Sequence, residues 1–158
     1  MIEARNISSS GSGIHFCCPF FDEGYRNNVV SAMDKSKDLD LGKLDRENFY
    51  KALSNSAIAI SVPLSDSSPR SVYEAIFFGC VVIVRDNPYV YDLPEGMRDR
   101  LVITDCCEGW FDDCLEQALK KSKQPFQPSK EDLHLFDQSL SVHRVLEALS
   151  EKNYCDEV

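Results

Sequence analysis

Apolar residues along this chain fall into two alternating rhythms. Short, nearly unbroken apolar runs, IHFCCPF at 14–20, AIAISV at 57–62, CVVIVRD at 80–86 and LVITD at 101–105, read as strands, with DLDL at 38–41 as a further short one. Between them, RNNVVSAMDK at 26–35, DRENFYKALSNS at 45–56 and residues 69–78 carry their apolar positions at helical spacing. Strands interleaved with helices predict an α/β fold, a single domain with a parallel sheet flanked by crossover helices. AIAISV and CVVIV lack polar alternation, as strands covered on both faces do, and are predicted to be the central strands.

Downstream, EGWFDDCLEQALKKSK repeats Trp110, Phe111, Cys114, Leu115, Ala118 and Leu119 on one helical face. The proline-marked QPFQPS at 124–129 breaks the pattern, and Ser129 is a suitable cap for a last helix over 130–151. That helix would carry Leu135, Ser139, Val142, Leu146 and Leu149 in a stripe that docks on this domain or on another one. The polar, Gly/Ser-rich residues 1–13 are expected to be disordered and 152–158 to form a tail, leaving 14–151 as the domain.

Composition narrows the function. Among 158 residues, 26 Asp and Glu face 17 Lys and Arg, a formal charge of -9 that argues against nucleic acid as a partner. An anionic ligand must then be held by local geometry. The seven cysteines show no C-x-x-C or Cys/His spacing, so no metal site is expected. They read as reduced thiols of a cytoplasmic protein, with Cys17, Cys80 and Cys114 as packing residues. No apolar run is long enough for a transmembrane segment, and the start lacks the pattern of a signal peptide.

The segment 65-SDSSPRSVYEAIFFGCVVIV-84 is the one most able to carry chemistry. Ser68 as N-cap and Pro69 as first helical residue mark a helix start, freeing the amides of Arg70, Ser71 and Val72. With the hydroxyls of Ser65, Ser67 and Ser68, the Arg70 guanidinium and the helix dipole, they would suit a phosphate. The alternative is that the polar residues only cap the helix, with Ser71-Val72-Tyr73-Glu74 as a capping box. The registers differ: if the helix starts near Pro69, Glu74 lies beyond the capping position.

Asp66, seven intervening residues, Glu74-Ala75-Ile76, then Gly79 and an apolar strand resemble the donor-binding signature of retaining GT-B glycosyltransferases. The resemblance is close over 57–86, and the order of elements agrees with it over about 14–150. It implies a Rossmann-like domain, the C-terminal half of a GT-B fold, that binds a nucleotide sugar and needs no metal or other cofactor. Glu74 would then accept hydrogen bonds from the ribose hydroxyls, Asp66 would be the catalytic carboxylate at the donor sugar, and Ser67, Ser68, Arg70 and Ser71 would face the diphosphate. Asp66 stands where Glu is commoner, Ser67 where Gly is frequent, and Val81 where Pro is frequent. The family also supplies an Arg and a Lys from earlier loops; Arg26 and Lys43 lie nearest in position and read as surface charges.

A GT-B acceptor half is a whole second domain, so the chain would act with an acceptor-domain partner protein, as a cut half, a split-enzyme subunit or a degenerate relative. The alternative from another class is a non-catalytic binding or assembly module on the same fold. IHFCCPFFDEG, with Asp22 and Glu23, also bears some similarity to the opening of nucleoside 2-deoxyribosyltransferases, although the later glutamate spacing differs. His15, His134 and His143 have no nucleophile at a telling spacing, and His15 reads as a core residue. In DNPYVYDLPEGM, Tyr89 and Tyr91 read as cover for the domain edge rather than donor contacts.

Overall fold

The computed structural model describes residues 13–17, 23–66 and 69–134. In chain order they form β1 (His15–Cys17), α1 (Glu23–Ala32), β2 (Leu39–Gly42), α2 (Arg46–Ser54), β3 (Ile58–Ser61) and α3 (Arg70–Phe77). Then follow β4 (Val81–Arg85), a 3-10 turn (Pro88–Asp92), α4 (Glu95–Arg98), β5 (Leu101–Thr104), α5 (Trp110–Ser122) and α6 (Lys130–His134), which runs to the last described residue. The chain is thus α/β and consistent with one Rossmann-like domain. Ser67, Ser68, His143, the 1–12 segment and the apolar stripe from Leu135 onward lie outside the described residues.

Among the described residues every strand pair is parallel, but there are two small sheets instead of one: β1 with β2, and β3-β4-β5. Side-chain packing joins them, since Ile14 beside β1 shares a buried cluster with Val81, Ile83 and Val102. β4 is the centre. Val81, Val82, Ile83 and Val84 are each 0 % exposed, because Val82 and Val84 face one helical layer while Val81 and Ile83 face the other. The first layer consists of α2, α3 and the Tyr89–Met97 stretch; the second of α1 and α5.

β3 departs from expectation. It pairs with β4 alone in the register Ile58↔Val81 and Ile60↔Ile83, so it ends its sheet, and all four residues are half-buried. His15 also differs, lying exposed on β1 while Phe16 takes the buried position, as strand alternation requires.

The turn from α3 into β4 is closed by a left-handed glycine. Gly79 has φ of 88°, its amide donates to the Ile76 carbonyl at 2.9 Å, and the Cys80 amide donates to the Ala75 carbonyl at 3.0 Å. This pair of reversed bonds is a Schellman stop, which lets β4 begin three residues after the helix cap. Ser129 caps α6 as predicted: its Oγ accepts from the Asp132 amide at 3.1 Å, while Asp132 Oδ2 accepts from the Ser129 amide at 2.6 Å.

Arg100, buried just before β5, ties the elements together at the opposite end of the sheet from the strand-to-helix loops. Its Nη1 donates to the carbonyls of Lys121 (3.3 Å) and Gln124 (3.1 Å), Nη2 donates to the Gly79 carbonyl, and the guanidinium sits over Phe126 at 5.5 Å. Lys121 answers by donating to the carbonyls of Asp99 (3.0 Å) and Leu101 (2.8 Å), which blunts the start of the edge strand β5. Among the described residues no helix is long and apolar enough to cross a membrane.

Replacing Arg100 with Met strands three carbonyl acceptors and is expected to lower stability by about 3 kcal/mol, read by urea unfolding. Thiol reactivity should follow burial. Cys80 and Cys114 are buried and burial pushes both thiols up, whereas Cys107 is exposed. Native alkylation with peptide mapping should mark Cys107 and reach Cys80 and Cys114 only once urea unfolds the chain.

Candidate functional site

The loops that follow the carboxyl ends of β2, β3, β4 and β5 lead into α2, α3, the 3-10 turn and α5, and this edge is where parallel sheets hold ligands. α3 begins at Arg70, with Pro69 as the capping position at φ -75° and ψ 94° and no side-chain cap bond. The helix therefore starts one residue later than predicted. The Pro69 carbonyl accepts from the Val72 amide at 3.0 Å and the Tyr73 amide at 3.3 Å, which commits the Val72 donor, while the amides of Arg70 and Ser71 find no acceptor among the described residues. Ser71 is already the second helical residue, so the capping-box alternative with Glu74 does not hold.

Glu74 sits a turn further along α3, only 15 % of its side chain exposed. Three groups converge on its Oε1: the Tyr50 hydroxyl donates at 2.8 Å, Arg70 Nε donates at 3.0 Å, and Arg46 Nη2 lies 3.9 Å away. Arg46 opens α2 just as Arg70 opens α3, so the first turns of two helices each contribute one cation. Arg46 also donates from Nε to the Tyr50 hydroxyl at 2.7 Å and lies over that ring, a bond that raises its own pKa further. Both arginine side chains remain largely exposed, at 67 % for Arg46 and 60 % for Arg70.

Asp66, in the loop between β3 and α3, is half-buried and close to Tyr89. Tyr89 itself is 5 % exposed, packs edge-on to Tyr73 with ring centroids 6.4 Å apart, and has its hydroxyl pKa pushed up to about 12 by burial and then by the Asp66 charge. Tyr91, the other tyrosine of that turn, is exposed and donates to Asp86 at 2.9 Å, the bond that raises its pKa. Ser71 is exposed on α3. Arg26 pairs with Asp40 across α1 and β2, and Lys43 is exposed.

An open cavity of about 400 Å³ lies further along the same edge, past β4 and β5, lined by Asp86, Thr104, Asp105, Cys107, Trp110 and Asp113 among others. None of the sequence-predicted site residues lines it. Its three carboxylates oppose a phosphate, so an anionic ligand is better served at the Arg46–Arg70–Glu74 group.

No family model matches this chain, and the searches of curated proteins and solved structures found no match. The residues missed at the sequence level are Arg46 and Tyr50. Their i, i+4 spacing on α2 was a legible signal that they share a helix face, but nothing local indicated that this face meets Glu74.

Tyr89 provides a pH test. Its folded pKa lies above the ordinary value near 10, so the protonated hydroxyl favours the folded state; its contribution is intact below about pH 10 and is lost as pH rises through about 12. Phenolate absorbance at 295 nm should show a late-titrating tyrosine that disappears in Tyr89→Phe. Urea midpoints of the wild type should fall more steeply than those of Tyr89→Phe across that window.

Proposed function

We propose that this chain is the nucleotide-sugar-binding domain of a retaining glycosyltransferase, resembling the C-terminal half of a GT-B enzyme and completed by an acceptor-binding domain or subunit. One observation carries the reading: Arg46 and Arg70, from the first turns of two helices, flank the half-buried Glu74 at the carboxyl edge of a parallel sheet. In a chain of net charge -9, two exposed arginine side chains at one spot are a local answer to an anion. They supply candidates for the cations that Arg26 and Lys43 do not.

In this reading the Arg46 and Arg70 side chains and the amides of Arg70 and Ser71 face the diphosphate, and Ser67 and Ser68 directly precede Pro69 in the sequence. They stabilise charge that develops on the leaving diphosphate, an electrostatic contribution and not a proton transfer. Glu74 accepts a ribose hydroxyl, and Asp66, beside Tyr89, faces the donor sugar as the catalytic carboxylate. The free thiols of Cys80, Cys106, Cys107 and Cys114 accord with a cytoplasmic location. A non-catalytic assembly module is favoured by a different observation, that Glu74 Oε1 is already engaged by the chain's own groups.

Calorimetric titration of UDP, GDP and several nucleotide sugars separates the two. Saturable binding by the wild type, weakened roughly tenfold or more in Glu74→Ala and in Arg46→Ala, is the expected outcome. No binding by the wild type overturns the donor-domain reading in favour of the assembly module. Binding untouched by Glu74→Ala removes only the role given to Glu74.

A further inference from the structure

We infer that Tyr50 is a positioning residue that locks the Glu74 carboxylate so that only Oε2 is offered to a ligand hydroxyl; this rests on the donor-domain reading. The direction of the hydrogen bonds follows from chemistry. A guanidinium can only donate, so Arg46 Nε at 2.7 Å occupies a lone pair of the Tyr50 oxygen and leaves its single proton for Glu74 Oε1 at 2.8 Å. The Tyr50 ring is held in turn by Phe78, with centroids 5.0 Å apart, and by Phe49 at 6.2 Å.

Arg70 Nε donates to the same Oε1 at 3.0 Å, so that oxygen carries two donors and its lone pairs are used. Oε2 accepts no hydrogen bond from the described residues. The Arg70–Glu74 contact alone would be an ordinary i, i+4 pair on an exposed helix, worth a few tenths of a kcal/mol. The Tyr50 bond is different, because it reaches across from α2 and orients a half-buried carboxylate. The two neighbouring hydroxyls of a ribose match a carboxylate with one hydroxyl on each oxygen, so with Oε1 saturated the second hydroxyl has no oxygen of its own and can only compete for Oε2. The sequence reading had both ribose hydroxyls bound to Glu74; the geometry points to one of them.

The test uses whichever of UDP and GDP binds more tightly, with its 2′-deoxy and 3′-deoxy counterparts, against wild type, Tyr50→Phe, Glu74→Gln and the double variant. Tyr50→Phe keeps the ring on Phe78, and circular dichroism checks that the fold is retained. Loss of one hydroxyl, but not of the other, should weaken wild-type binding roughly tenfold. Tyr50→Phe should bring that ratio close to one, and the double variant should bind no worse than Glu74→Gln. Should Tyr50→Phe fail to fold, Arg46→Gln frees the tyrosine hydroxyl to turn away and reads the same ratio. Full discrimination retained in the Tyr50 variant overturns the inference while the donor-domain reading stands. Equal losses for both deoxy ligands overturn the single-acceptor assignment, and absence of wild-type binding removes inference and reading together.

Discussion

Burial of β4 from Val81 to Val84 is the constraint on which the rest of this molecule depends. A strand with Val81, Val82, Ile83 and Val84 all out of water must have an apolar layer on each face, and each layer must be supplied by a helix whose apolar stripe fits the pleat. α3 and the Tyr89–Met97 stretch cover one side and α5 the other. Because α3 precedes β4 directly, its angle and depth are set by that packing, and so is the position of every residue on its outer face, Glu74 included.

The two ends of the sheet do different work. At the amino end the chain is pinned: Gly79 stops α3, Arg100 gathers the carbonyls of Gly79, Lys121 and Gln124, and Lys121 covers the edge of β5. Arg100 gathers these three carbonyls at the cost of its own desolvation, a burial that lowers its pKa. At the carboxyl end the groups are less saturated. Among the described residues the amides of Arg70 and Ser71 have no acceptor, Arg46 and Arg70 are exposed, and Glu74 keeps one oxygen unengaged.

Charge decides which part of that edge suits which ligand. The chain as a whole repels anions, and the cavity past β5 adds Asp86, Asp105 and Asp113 to that repulsion. Where α2 and α3 begin, Arg46 and Arg70 bring two cations to one carboxylate, and the two helix dipoles act in the same direction as the two arginines. The same convergence gives Glu74 its partners, so the cations and the carboxylate come as one unit.

Much of the fold was legible in the chain itself, because the signals are local. Strand runs, helical spacing, the Gly79 stop and the Ser129 cap each arise from a few neighbouring residues whose backbone preferences need no tertiary partner. The register at Pro69 was one residue off, since an exposed helix start can shift without changing the buried face. The edge position of β3, the exposure of His15, the Arg100 clamp and the meeting of Arg46, Tyr50 and Glu74 were not legible. Periodicity states which face of a helix is apolar, but it does not state how two helices lie against one sheet, and it is that lateral packing that brought Tyr50 to a carboxylate 24 positions away. The sequence by itself determined the alternating elements and the acidic pair Asp66 and Glu74, while only the tertiary structure decided which cations and which hydroxyl hold Glu74, because those contacts form between elements and not within them.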